Sequence, residues 1–323
     1  MLQTILHNRL ARRVVSIAGT LLGVAVVVFV MLRAIPGNQI TANLGTEAAA
    51  LTPAQQEALQ RYYGLDQPLF TQFFSWLGNL ATGNLGYSAR AQQSVLDLTL
   101  RSLPVTFELA MLSIILALLI GVPLGTLAAS RRDSARDALG QLVSLAGLSI
   151  PAFLLATALL SVAASSLGFN PNGQGFAPLT QDPLLNLEQM LMPALVLGFG
   201  IAAPILRTTR TAILEVRSED FVRTARAKGV PPRRLQVRHV LGNALVPIVT
   251  MTGLQFGYLL GGAVVVEQIF SIPGIGRQVL LGIQQKEYAV VQSTVLVIAL
   301  AFVIVNVVTD ALYRVIDPRV RAS

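Results

Sequence analysis

Six long stretches of the chain contain no Asp, Glu, Lys or Arg, and each is apolar enough to cross a membrane. A hydrocarbon core of about 30 Å needs about 20 residues of helix, since each residue adds about 1.5 Å. The stretches are residues 14–32, 109–130, 138–167, 189–206, 240–266 and 288–309. They predict an all-α polytopic membrane protein with six transmembrane helices. The first stretch is longer than the apolar part of a usual signal peptide, and no small-residue cleavage site follows it, so we interpret it as a retained helix.

Composition supports the same class. Hydrophobic residues make up 53% of the 323 residues and charged residues only 12%, whereas soluble domains carry about 25% charged residues. The chain has no Cys, which excludes disulfides and thiolate metal sites. A soluble globular protein is therefore excluded.

The positions of the basic residues predict the orientation. With the N-terminus in the cytoplasm and six crossings, 18 of the 24 Lys and Arg residues fall inside and six outside. The positive-inside rule thus favours an N-in, C-in topology. It also accounts for most of the net charge of +8, and since no nucleic-acid-binding motif accompanies the basic residues, we expect no nucleic-acid partner.

The regions outside the membrane are unequal in length. We expect a cytoplasmic stub and the first helix in residues 1–36, and an outer segment in 37–101. A five-helix core is expected in 102–318, with an inner hairpin at about 216–243, and a cytoplasmic tail in 319–323. In the outer segment, Thr52 and Gln55 form a capping box for one short helix. A second short helix after Pro68 carries aromatic residues, including Phe70 and Trp76, that suit the membrane interface.

The inner hairpin between the fourth and fifth stretches has clear helix-end signals. Ser218 is expected to cap a short helix, Gly229 to end it, and Pro231-Pro232 to begin the next one. Acidic residues occupy its first turn and basic residues its last, as the helix dipole favours. These charged residues are Glu219, Asp220, Arg226 and Lys228. Such a hairpin could transmit force to a partner, or it could lie as a basic loop against anionic lipid.

Small residues recur along the fifth stretch, which predicts close helix packing on one face. They are Gly253, Gly257 and Gly261. Glu267 ends this stretch, and a turn containing Pro273 and Gly274 follows. We expect these three residues near an outer gate or pathway, although a polar helix end that faces water explains Glu267 almost as well.

No catalytic motif is present. A nucleotide-binding loop of the Walker type needs Gly-Lys-Ser/Thr, but the only lysines, Lys228 and Lys286, follow Ala and Gln. His7 and His239 are far apart, and neither belongs to a zinc-binding or nucleophile motif. The chain is therefore expected to be a non-catalytic protein with no metal site and no cofactor of its own.

Several motifs in order resemble one known family over essentially the whole chain. Arg-Thr-Ala-Arg-Ala-Lys-Gly at 223–229, followed by residues 238–247, resembles the EAA loop of binding-protein-dependent ABC importers. The form is that of the dipeptide/oligopeptide/nickel permease family, and in particular of its first permease subunit. Further similar motifs lie at residues 32–37, 83–88, 103–109, 267–276 and 317–321.

The resemblance implies an ABC type I importer permease fold in the bacterial cytoplasmic (inner) membrane, surrounded by membrane lipid. The implied partners are a second homologous permease subunit, two cytoplasmic ATPase subunits that bind ATP and Mg, and an extracytoplasmic solute-binding protein. The hairpin would couple to the ATPase through Arg223, Thr224, Ala225, Arg226, Ala227, Lys228 and Gly229. Arg223 stands where the wider superfamily has Glu, and Gly242 where it often has Pro, which leaves the contacting side chains open.

The resemblance also implies the cargo: di- or oligopeptides are the expected solutes. The alternative is a stand-alone channel or a proton-coupled secondary transporter. That class usually places charged residues near the middle of the membrane, whereas here the charges lie at the ends of the stretches.

Overall fold

A computed structural model describes residues 9–34, 51–62, 64–168, 173 and 175–316. His7, residues 37–50, the motif at 317–321 and the tail 319–323 lie outside the described residues. Among the described residues, the regular structure is helical apart from one short antiparallel hairpin, β1 (Tyr87–Ser88) with β2 (Gln93–Ser94), in which Tyr87 pairs with Ser94.

The helices, in chain order, are α1 (Arg9–Ala34), α2 (Pro53–Tyr62), α3 (Leu69–Ala81), α4 (Val95–Ser130), α5 (Ala135–Ser149), α6 (Ala152–Leu167), α7 (Pro183–Ser218), α8 (Asp220–Ala227), α9 (Pro232–Arg234), α10 (Gly242–Gly262), α11 (Val264–Ile269), α12 (Ile275–Gln284) and α13 (Tyr288–Ile316). A π-helical segment, Leu235–Leu241, joins α9 to α10. The contacts divide the chain into two compact units. The first unit contains Met1–Pro104 and Pro273–Val303, and the second unit contains Val105–Ile272 and Ile304–Ser323.

Among the described residues, five helical stretches are long and apolar enough to span a membrane, and a bent pair of helices raises the number to six. The third predicted span is this pair: α5 and α6 meet at 95°, so residues 138–167 form two helices with a sharp bend between them and not one continuous helix. Pro151 explains the break, because a proline disfavours helical geometry at the preceding residue, and Ile150 is extended with ψ of 116°.

Two spans are much longer than their uncharged stretches. Helices α4 and α7 have 36 residues each, which at about 1.5 Å per residue exceeds the thickness of the hydrocarbon core. Charged residues such as Asp97 and Arg101 end the apolar pattern of α4 but do not end its helix. The backbone N–H of Asp97 donates to Ser94 Oγ at 3.0 Å, which caps α4 on its first turn.

The first unit contains the short outer helices. The capping box that opens α2 is confirmed, since the Thr52 N–H donates to Gln55 Oε1 at 2.9 Å. Helix α3, predicted after Pro68, packs on the end of α1 through rings: the Phe29 and Phe73 centroids are 5.1 Å apart. Arg33 of α1 also donates to Gln72 Oε1 of α3 at 2.9 Å.

The second unit is organised around α7, which contacts α5, α6, α8, α10 and α11. Small residues of α4 allow it to approach the α7 backbone closely: a Cβ added at Gly121 would lie 2.8 Å from the Ala202 carbonyl oxygen. A buried ion pair joins α5 to α7. Arg210 Nε and Nη2 donate to Asp137 Oδ1 and Oδ2 at 2.6 and 2.8 Å, and Asp137 is fully buried.

The three glycines of the fifth span differ in their surroundings. A Cβ added at Gly253 would overlap the side chain of Thr309 on α13, whereas nothing lies within 4 Å of one added at Gly261. Gly257 is buried.

We predict that Gly253→Ala lowers the free energy of unfolding by about 1–3 kcal/mol, because the added methyl group overpacks the contact with α13. Gly261→Ala is the matched control, and it should be neutral or slightly stabilising since alanine favours helix. Thermal unfolding of the two purified variants in detergent measures the difference. Equal midpoints would contradict the proposed close contact.

Candidate functional site

The predicted inner hairpin is a compact structure between α7 and α10. Helix α8 ends as the sequence indicates: Gly229 has φ of +76°, and its N–H donates to the Arg226 carbonyl at 3.0 Å. The next N–H, of Val230, donates to the Ala225 carbonyl at 3.2 Å. These two bonds form a Schellman motif, which favours glycine at the left-handed position. Pro231 then caps α9, and Pro232 is its first residue.

The start of α8 differs from the prediction. Ser218 is the last residue of α7, and its hydroxyl donates to the Glu215 carbonyl at 2.7 Å. Glu219 occupies the N-cap position of α8 but makes no side-chain capping bond. The predicted Ser218 cap is wrong because α7 continues through this residue and its hydroxyl bonds back to its own helix.

One face of the hairpin is packed on the spans. Val222 is fully buried in a cluster that includes Ile213 of α7 and Ile248 of α10. Ala225 and Val230 pack at the edge of the same cluster. The hairpin is therefore held to the transmembrane helices by an apolar face, so a displacement of the hairpin would be passed to α7 and α10.

The face of the hairpin that points away from the spans is exposed and basic. Of the seven predicted coupling residues only Ala225 is partly buried; the exposed ones are Arg223, Thr224, Arg226, Ala227, Lys228 and Gly229. Phe221 adds an exposed aromatic ring on α8. Arg223 lies 3.3 Å from Asp220, but both side chains are largely exposed, so the pair adds little stability. An exposed face that is basic and partly aromatic is suited to an acidic groove on a partner protein.

Arg217 holds the base of the hairpin and was not singled out from the sequence. Its Nε and Nη2 both donate to Gln236 Oε1, at 3.2 and 2.6 Å, in the π-helical segment. Its Nη1 donates to the carbonyl oxygens of Ala129 and Ser130, the last residues of α4. One guanidinium group therefore links the ends of α4 and α7 to the start of the fifth span.

The gate candidates are distributed over both units. In the second unit Glu267 is fully buried, and Thr106 Oγ1 donates to its Oε1 at 2.6 Å. In the first unit Pro273 and Gly274 line a cavity of about 220 Å³. Its lining includes Ser88, whose hydroxyl donates to the buried carboxylate of Glu287 at 2.8 Å.

Within the residues that the structure describes, no group of three or more His, Asp or Glu side chains is arranged to hold a metal ion. The inner hairpin presents one face packed on the spans and one exposed face.

Comparison with known proteins decides the family. Residues 121–322 match the family model of the binding-protein-dependent transport system inner membrane component, and residues 6–110 match the model of the N-terminal part of the membrane component of such systems. The chain belongs to this family. It is thus a permease subunit of an ABC importer, an inner membrane component without catalytic activity, and ATP hydrolysis takes place on separate subunits. The alternative of a stand-alone channel or secondary transporter is not favoured.

Two relatives match this permease along nearly their whole length. The di/tripeptide transport system permease protein DppB of Pseudomonas aeruginosa is 40% identical over 97% of this chain and 98% of its own. The glutathione transport system permease protein GsiC of Escherichia coli K12 is 36% identical over 97% and 99%. These matches agree with the predicted peptide-permease family.

The fold agrees with that of a solved importer. An inward-facing structure of the methionine ABC transporter MetNI matches with a TM-score of 0.53 and 18% identity, over 68% of this permease and 96% of the matched chain. The predicted type I importer permease fold is supported, and family membership implies an ATPase and a solute-binding protein as partners.

Proposed function

We propose that this permease forms half of a pathway that imports di- or oligopeptides. In this proposal a second homologous permease supplies the other half, two ATPase subunits bind ATP and Mg on the cytoplasmic side, and one solute-binding protein delivers the peptide outside. The names of DppB and GsiC support a peptide cargo, since glutathione is itself a tripeptide.

The observation that carries the coupling role is the two-sided hairpin. Val222 fixes one face of α8 to the spans, while Arg223, Arg226 and Phe221 leave the other face open to a partner. A basic loop lying on lipid would need no such rigid base. We therefore assign the exposed face to the ATPase, in agreement with the family of the permease.

In the proposed mechanism, closure of the ATPase pair on ATP draws the two hairpins of the permease pair together. Because the buried face of the hairpin packs on α7 and α10, those spans must move with it. The pathway then alternates between inward-open and outward-open arrangements around the peptide. Glu267, Pro273 and Gly274 remain candidates for the outer gate.

We predict that Arg223→Glu with Arg226→Glu reduces recovery of the ATPase with the permease at least tenfold, because two attractive charges on the docking face become repulsive. Both side chains are exposed, so the permease should still insert and fold. Co-purification of tagged permease with the ATPase measures the effect. The matched control is Arg131→Glu with Arg132→Glu, an exposed arginine pair after α4 that also lies on the predicted cytoplasmic side. Undiminished recovery of the ATPase would refute the docking role.

A further inference from the structure

An open cavity of about 370 Å³ lies at the end of α1, within the first compact unit. Three helices line it through Arg33 of α1, Trp76 of α3 and Gln292 of α13, and the loops on both sides of α3 complete it. We call it the α1 cavity. Arg33 belongs to the last turn of α1, which the predicted N-in topology places at the outer surface of the membrane.

The walls of the α1 cavity are held together by close packing. Leu32 of α1 forms one apolar cluster with Tyr288 and Val291 of α13. The loop after α3 approaches α13 so closely that a Cβ added at Gly86 would lie 2.9 Å from the Cβ of Ala289. The cavity is therefore a fixed feature of the first unit, and its lining side chains are preorganised.

Two buried N–H groups of the lining have no hydrogen-bond partner among the described residues. They are Nε1 of Trp76 and Nε2 of Gln292, and the Gln292 side chain belongs to a residue that is only 4% exposed. The Trp76 ring lies 6.1 Å from the rings of both Phe29 and Phe73, which limit its rotation. Both unpaired groups are donors, so the partner that would satisfy them is a hydrogen-bond acceptor.

Arginine side chains add donors and positive charge. Arg33 Nε and Nη2 donate to Gln72 Oε1, and Nη1 donates to the Phe29 carbonyl. Since a guanidinium has five N–H donors, Arg33 retains donors for a further acceptor. Arg61 also lines the cavity; it is 73% exposed and lies 3.5 Å from the exposed Glu57. None of the described lining residues is acidic, so the acceptor that fits is an anion.

The surface beside the cavity is apolar and suited to lipid. Helix α3 has no charged residue and none that is buried, and its Phe70 and Phe74 are 79% and 65% exposed. On α1, Val30 and Met31 are 58% and 64% exposed. Exposed aromatic side chains next to a membrane-spanning helix are typical of the headgroup level. A ligand of this site therefore meets donors and positive charge at one end and apolar side chains nearby.

We propose that the α1 cavity binds the phosphate group of an outer-leaflet phospholipid, whose acyl chains lie on the exposed side chains of α1 and α3. The phosphate oxygens accept from Trp76 Nε1, Gln292 Nε2 and Arg33, so that one lipid joins α1, α3 and α13. An anionic lipid fits better than a zwitterionic one, since no lining carboxylate is available to pair with an ammonium group. The proposal does not depend on which solute the permease imports.

Trp76 is the only tryptophan of the chain, so its fluorescence reports directly on the site. Dioctanoylphosphatidylglycerol is titrated into purified, lipid-depleted permease in detergent. Dioctanoylglycerol carries the same chains without the phosphate, and glycerol 3-phosphate carries the phosphate without the chains. Gln292→Leu and Arg61→Gln alter the lining. The matched control is Arg101→Gln, which removes an exposed arginine of the same unit that does not line the cavity.

We expect a saturable change in Trp76 emission with dioctanoylphosphatidylglycerol. Gln292→Leu should weaken the apparent affinity about tenfold, because a buried charge-assisted hydrogen bond is lost. Arg61→Gln should weaken it about threefold, since its charge is exposed and screened. Arg101→Gln should match the parent. Gln292→Leu should not lower the thermal midpoint of the lipid-depleted permease, because the amide N–H that it removes has no partner there.

Each part of the proposal has an outcome that would overturn it. Equal affinity for dioctanoylglycerol would show that the phosphate is not recognised. Equal affinity for glycerol 3-phosphate would replace the lipid with a free phosphorylated compound. Parental affinity in both Gln292→Leu and Arg61→Gln would show that the lipid binds elsewhere. If Gln292→Leu does not fold, the comparison of Arg61→Gln with Arg101→Gln decides this last point.

Discussion

Replacing Asp137 with Ala is expected to lower the free energy of unfolding by about 1–3 kcal/mol, because the substitution leaves the Arg210 guanidinium, whose side chain is 21% exposed, without its counter-charge. Asp137 is fully buried and receives two hydrogen bonds from Arg210, together with one from Gln141 and one from the backbone N–H of Asp133. The carboxylate therefore holds the start of α5 against α7.

A double variant separates the loss of the pair from the presence of an uncompensated charge. Asp137→Leu with Arg210→Met removes both charges and fills the space with apolar atoms, which is often nearly neutral for stability. We expect this variant to recover most of the lost stability, although the bond to the Asp133 N–H remains lost. Thermal unfolding of purified permease in detergent provides the comparison. A single variant as stable as the parent would show that water already satisfies Arg210.

The spans could be predicted from the sequence because the energetic requirement is local. An uncharged apolar stretch of about 20 residues is stable in lipid wherever it occurs in a chain. The direction in which a helix runs, by contrast, is not determined by its own sequence alone. Pro151 indicates a break, but a proline is compatible with a slight kink or with the observed 95° turn between α5 and α6. The angle depends on how α5 packs against α7, and hydropathy contains no information about that contact.

The inner hairpin likewise contains features that local sequence predicts and one that depends on the neighbouring helix. Gly229 and Pro231-Pro232 could be placed because a left-handed residue and a first-turn proline are determined by backbone geometry alone. Ser218 was misplaced because serine, followed by Glu219, is an acceptable cap in isolation. Ser218 does not cap α8 because α7 extends through Ser218.

The sequence identifies Asp137, Arg210 and Arg217 only as charged residues and does not predict the hydrogen bonds by which they join different helices. Asp137 and Arg210 are 73 positions apart, and Arg217 is 88 positions from Ala129. No spacing rule for helices or turns relates residues at such distances, so a single sequence cannot pair them. The positive-inside pattern located both arginines near the cytoplasmic surface, but it could not tell an arginine that interacts with lipid from one that holds helices together.

Replacing Arg217 with Met should uncouple ATP hydrolysis from transport, if the hairpin is the coupling element proposed above. The guanidinium joins the last carbonyls of α4 to Gln236 at the start of the fifth span. Without it, the hairpin remains packed through Val222, but movement at its base is no longer passed to both spans together. We expect trialanine uptake to fall at least tenfold while at least half of the ATPase activity remains.

Two further variants give this prediction its controls. Arg217→Lys keeps the charge, but an ammonium group lacks the planar, forked donors that let Arg217 bond the α4 carbonyls and the Gln236 amide oxygen together. It should therefore behave like Arg217→Met. Arg207→Met removes an exposed arginine from the same helix and should leave uptake unchanged. The decisive quantity is the number of ATP molecules hydrolysed for each trialanine imported, measured in proteoliposomes.

Co-purification with the ATPase distinguishes transmission of movement from docking. A variant that retains the ATPase but hydrolyses more ATP for each peptide has lost transmission, which is the role that its contacts assign to Arg217. Loss of the ATPase together with uptake would instead place Arg217 in docking, because the hairpin would no longer present Arg223 and Arg226 correctly. A parental ratio of ATP to peptide would show that apolar packing around Val222 transmits the movement without Arg217.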